Sequence, residues 1–112
     1  MKYVGAKPIS REQAVTALSC GRAPEVCQAL IDVAYFEPDG EWALEQALAF
    51  TGNDDENVAN AATTAIGHLA RTHPQLDMTR AISRLNELRS APRTSLAAKY
   101  ALEDIEVFRR RR

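Results

Sequence analysis

The chain has 112 residues, 46% hydrophobic and 26% charged, with a net charge of −1. That is enough for one modest core and not for two, in the composition of an ordinary globular domain of residues 1–112. No run approaches the ~18 apolar residues of a membrane span, the N-terminus lacks a signal-like apolar stretch, and Lys2 stands where myristoylation needs glycine, so a cytoplasmic protein is expected.

Apolar residues recur at steps of three and four throughout, which predicts an all-α chain. Ser10 with Gln13 forms a capping-box pattern after Pro8 and opens a first helix that runs to about Cys20, where Gly21 stops it. Pro24 suits the first turn of a second helix, which buries Val26, Leu30, Val33 and Ala34 and ends before Pro38. Asp39 is the expected cap of a third, carrying Trp42, Leu44, Ala47, Leu48 and Phe50. After "TGND", Asp54 or Asp55 caps a fourth, whose Val58, Ala62, Ala65, Ile66 and Leu69 lie within a stripe of about 100°. His73-Pro74 ends it. Asp77 is the expected cap of a fifth helix with Met78, Ile82, Leu85 and Leu88 inward. Thr94 or Ser95 opens a sixth with Ala97, Ala101, Ile105 and Phe108 inward.

The six helices form three pairs, at about 10–36, 39–73 and 76–109, and the second members align with one another. Val58, Ala61, Ala62, Ala65 and Ile66 match Val26, Ala29, Leu30, Val33 and Ala34 at a shift of 32, and Thr94, Ala97, Ala98, Ala101 and Leu102 at a shift of 36. A repeat of this length built from helical hairpins predicts a short stacked α-solenoid, with the alanines allowing close approach between helices. The fourth helix reads Asp55, Val58, Ala61-Ala62, then Ala65-Ile66-Gly67 and Leu69. This resembles the second helix of a HEAT repeat, with one departure. The arginine that commonly follows the valine is Ala59, so the Asp–Arg ladder that links such repeats is not provided. Over the whole chain, "PISREQA", "GHLAR" and "YALEDIEVF" resemble small stand-alone bacterial HEAT-repeat proteins. Some of these are immunity proteins of polymorphic-toxin or contact-dependent inhibition (CDI) systems. The resemblance implies a protein-binding module and no enzyme.

Catalytic chemistry finds no foothold. His68 and His73 are five residues apart, about 140° around a helix, and do not share a metal-binding face. Glu103, Asp104 and Glu106 read as a solvated helix face, the glycines are too scattered to cradle a phosphate, and no Ser–His–Asp arrangement follows from the spacing. Cys20 and Cys27 match no disulfide framework or zinc spacing. No catalytic residue, metal or cofactor is expected. The closing "RRRR" complements the dipole of the last helix. Nucleic-acid binding would require basic residues across the interaction face, and the central hairpin has none before Arg71.

Charge placement is the remaining signal. Between Arg22 and Arg71 there is no lysine or arginine, yet nine of the fifteen acidic residues lie there. If stacking gathers them into one field, the chain would capture a basic protein partner, expected to be a cognate toxin domain of nuclease type whose cationic cleft it plugs. The residues expected to carry this are Asp32, Tyr35, Glu37, Asp39, Glu41, Asp54, Asp55 and Glu56, with Trp42 read as core. Gln28, Asn60, Thr63, Thr64, Gly67 and Arg71 would share the concave surface. Neither nucleic acid nor a membrane is an expected partner, and the free chain is expected to be a monomer. The competing reading is an intracellular HEAT-type adaptor for some other protein.

Overall fold

The computed structural model describes residues 5–110, without the side chain of Arg110, so part of the terminal arginine run lies outside the described residues. Six helices follow in order: α1 (Arg11–Leu18), α2 (Ala23–Phe36), α3 (Gly40–Phe50), α4 (Glu56–Thr72), α5 (Thr79–Arg89) and α6 (Ser95–Arg110). The chain is all-α, with no strand among the described residues. No described helix is long and apolar enough to cross a membrane.

Local signals set most of the boundaries. The Ser10 hydroxyl accepts from the Gln13 N–H while the Gln13 side chain accepts from the Ser10 N–H, a complete capping box. The first helix stops at Leu18, slightly short of the expected Cys20, and Gly21 takes φ +76°, a left-handed turn that suits glycine. Asp39 accepts from the Trp42 N–H, and Asp55 from the N–H groups of Asn57 and Val58. Asp55, without the arginine of the usual ladder, is thus used by its own helix. Asp77 is not the cap of α5. It sits one residue earlier and accepts from both the N–H and the hydroxyl of Thr79, closing a side-chain turn ahead of Met78. Thr94 does not cap α6 with its hydroxyl, which instead donates to the Leu88 carbonyl near the end of α5.

Each odd helix turns back on the next as an antiparallel hairpin, and the three hairpins stack in two layers. α2, α4 and α6 form one layer with α4 in the middle, and α1, α3 and α5 pack on the other side. Contact within the α2–α4–α6 layer is far more extensive than within the other, where α3 and α5 barely touch. Small residues explain this. Ala59, Ala61, Ala62 and Ala65 of α4 are at most 2% exposed, and the aligned Ala29 and Ala98 are buried too. At Gly67 the approach is closest. A Cβ there would lie 3.1 Å from the Ala101 Cα and 3.1 Å from the Asp104 Oδ2, tighter than normal packing. Gly67 is therefore an inter-helix contact, and with Thr63, which is fully buried and donates to the Ala59 carbonyl, it does not face the solvent as expected.

Leu44, Ile66, Leu69, Leu85 and Ile105 form the larger core cluster, with Trp42 half-buried at its edge, and Leu18, Val26, Leu30 and Val58 form a smaller one. In α6 the buried stripe is Ala98, Ala101 and Ile105, while Ala97 and Phe108 are only partly covered.

Candidate partner-binding surfaces

The eight residues expected to meet a partner do not form one surface. Because the hairpins are antiparallel, the end of α2, the start of α3 and the end of α4 lie together, and the start of α4 lies at the other end of the molecule. Tyr35, Glu37, Asp39 and Glu41 are thus separated from Asp54, Asp55 and Glu56 by the length of α4, about 25 Å for its 17 residues at 1.5 Å each. That is about three screening lengths at physiological salt. The two groups do not add into one field.

Two of the eight are not available to a partner. Asp32 is 4% exposed, and its Oδ1 accepts from the Lys7 N–H and the Gln28 Nε2, each at 2.9 Å, tying the N-terminal segment to α2. Glu37 is 7% exposed, accepts from the Arg11 Nε and the Asp39 N–H, and stabilises the α2–α3 turn. Its backbone carbonyl accepts from His73 at 2.8 Å, which fixes that ring with its hydrogen on Nε2, since a carbonyl only accepts.

Arginines from outside the acidic interval pair with four of its nine acids, Glu25, Glu37, Asp39 and Glu45. Arg11 pairs with Glu37 at 3.3 Å and with Asp39 at 3.2 Å, and its guanidinium lies 4.3 Å from the centre of the Trp42 ring. These contacts raise the pKa of Arg11, with the Glu37 hydrogen bond the largest cause. Asp39 is held below the usual carboxylate range, mainly by the Trp42 N–H and then by Arg11. Arg80 reaches Glu45 at 2.6 Å, Arg22 pairs with Glu25, and Arg93 donates to the carbonyls of Asn53 and Asp54. The carboxylates of Glu41, Asp54 and Glu56 are exposed and make no ion pair among the described residues, and Asp55 is exposed but occupied as a cap.

The outer side of the α2–α4–α6 layer has a different character. At its centre Tyr35 of α2 meets His68 and Arg71 of α4. Arg71 donates to the Tyr35 oxygen at 2.5 Å and lies over its ring, with the guanidinium carbon 5.2 Å from the centroid. The Tyr35 and His68 rings are 4.8 Å apart. Since arginine only donates, the Tyr35 hydrogen is left for the His68 Nδ1 at 3.4 Å. Burial lowers the pKa of His68, the Arg71 charge lowers it further, and Asp104 of α6 opposes both. A row of polar groups thus crosses all three helices.

Along α6 the same side is open. Leu96 is 61% exposed, Tyr100 54% and Val107 46%, and Phe36 at the end of α2 is 43% exposed. Four of the five exposed large hydrophobic residues among the described residues therefore belong to this layer, the fifth being Val15 of α1. Sequence reasoning passed over Leu96, Tyr100 and Val107, although their spacing of four and seven was legible as a second apolar stripe on α6.

No group of three or more His, Cys, Asp or Glu that could hold a metal ion occurs among the described residues, and both cysteines are free thiols.

No family model matches the chain, and no curated protein matches it. Among solved structures it is similar to a chain in the crystal structure of a CDI complex from Cupriavidus taiwanensis LMG 19424. The TM-score is 0.89 and the identity 29%, over 97% of this chain and 98% of that one. The resemblance to CDI proteins read from short motifs is thus matched by a likeness along nearly the whole of both chains.

Proposed function

We propose that this chain is an immunity protein that binds and neutralises a cognate CDI toxin domain. The likeness to a chain of a CDI complex over nearly the full length of both carries this reading. At that coverage the helices and their connections correspond together, so a shared mode of use is the economical inference.

In this reading the chain performs no chemistry of its own. It acts by occupying the toxin surface that the toxin needs for its substrate. The toxin is of nuclease type, with a cationic cleft that holds phosphates. Attraction comes from local carboxylates that this chain leaves without a cation, since a net charge of −1 and acids split between two ends give little long-range steering. The fold acts as a rigid HEAT-type scaffold that stays in the cytoplasm and is monomeric until it meets the toxin.

Co-expression with the toxin domain encoded beside its gene tests this. Cells producing the toxin domain are expected to resume growth when this chain is present, and the two proteins to elute together. Continued killing, with separate elution of two folded proteins, would overturn the reading and leave the adaptor alternative in its place.

A further inference from the structure

The helix α6, at the edge of its layer, has two faces. Ala98, Ala101 and Ile105 pack inward, and Leu96, Tyr100, Glu103, Asp104 and Val107 share a second stripe of about 100° that no part of the described chain covers. In α4, which occupies the middle of the same layer, the positions aligned with Leu96, Tyr100, Asp104 and Val107 are Asn60, Thr64, His68 and Arg71, all polar. The apolar character of the α6 stripe is therefore not a requirement of the repeat. A helix at the edge of a solenoid layer needs a polar outer face when it has only water to meet.

Charge indicates what meets it. Glu103 and Asp104 flank Tyr100 and Val107 with no lysine or arginine in ion-pair distance among the described residues. Arg71, the cation on the adjoining helix, is held by Tyr35. Lys99 lies at the edge of the stripe, exposed and forming no ion pair among the described residues. Asp104 also reaches Gly67, which joins the α6 stripe to the Tyr35–His68–Arg71 row as one continuous surface. An exposed tyrosine among aliphatic side chains with uncompensated carboxylates at the margin matches the make-up of an interface centre and its rim.

We propose that the outer face of α6, centred on Tyr100 and continued onto His68 and Arg71 of α4, is the surface that seats the toxin domain. Its counterpart on the toxin is an apolar patch bordered by lysine or arginine. This deepens the immunity reading and rests on it. It also moves the contact away from the acidic interval that the sequence highlighted, whose residues largely serve internal caps and ion pairs.

The test is the dissociation constant of the full chain with the neighbouring toxin domain, measured by calorimetry for wild type, Tyr100→Ala, Leu96→Asp and Glu103→Lys/Asp104→Lys. Val15→Asp, the same kind of change on α1, is the matched control, and melting curves report folding of each variant. Tyr100→Ala and Leu96→Asp are expected to weaken binding by about 10-fold or more. The double charge reversal is expected to weaken binding most at low salt and so reduce its salt dependence, and Val15→Asp to stay within about twofold of wild type. Wild-type binding that survives all three α6 changes overturns the assignment of this face and leaves the immunity reading standing. A wild-type chain that pairs with itself through Tyr100 overturns the assignment of this face alone, and one that does not bind the toxin overturns both.

Discussion

Replacing Asp32 separates a structural role from a contact role. Both hydrogen bonds to this carboxylate fall on one oxygen, Oδ1, from the Lys7 N–H and the Gln28 Nε2. Asp32→Ala removes both and leaves two donors beside a buried position. A hydrogen bond to a charged group contributes about 1.5–3 kcal/mol when buried. Lys7 is exposed and Gln28 half-buried, so the sum is discounted to about 2–3 kcal/mol. For a chain of this size, 1 kcal/mol corresponds to about 4 °C in melting temperature, which gives a fall of about 10 °C. Asp32→Asn keeps an oxygen able to accept from both donors and loses only the charge assistance, so it is expected to recover more than half of that fall. Thermal melts followed by circular dichroism measure both variants. Toxin affinity, measured well below the melting temperature, is expected to stay near wild type. An Ala variant that melts within about 2 °C of wild type and binds the toxin tenfold more weakly would refute the structural assignment and return Asp32 to the interface.

Gly67→Val places a branched side chain where a Cβ alone would lie 3.1 Å from the Ala101 backbone, so α4 and α6 must separate. Overpacking of about 1–3 kcal/mol outweighs the fraction of a kcal/mol gained in helix propensity, and denaturant titration is expected to show a net loss of about 2 kcal/mol. Leu69→Ala, at a fully buried site in the main core, is expected to cost about 3 kcal/mol in the same assay. Asp39 has a folded pKa below its ordinary value, so its stabilising contribution is present above the ordinary carboxylate pKa and is lost as pH falls through the folded one. Wild type is therefore expected to melt above Asp39→Asn at pH 6, with the difference shrinking as the pH is taken down to 3. A constant difference across that range would contradict the capping and ion-pair assignment.

The helices were legible because their signals are local. Ser10 and Gln13, Asp39 and Trp42, or Asp55 and Val58 lie within one turn of each other, and the capping chemistry is written in the order of the residues. The burial stripe of α4 was legible for the same reason. Charge compensation was not, because the arginines that neutralise the acidic interval approach from other helices. Arg11 meets Glu37 from 26 residues away and Arg80 meets Glu45 from 35. A base-free stretch of sequence is therefore no guide to a base-free surface in a fold of stacked hairpins. The antiparallel turn also carries the two acidic groups to opposite ends, which adjacency in the sequence conceals. The α6 face was missed for a further reason: choosing one apolar stripe for the core makes the remaining apolar residues look incidental. Leu96, Tyr100 and Val107 gain meaning only when the fold places α6 at the edge of its layer, with these side chains left exposed among the described residues.

The most direct measurement is the activity of the cognate toxin domain on its substrate as this chain is added. Activity falling in proportion and reaching background at one equivalent is the predicted result. Full activity at a tenfold excess of folded chain would contradict the account.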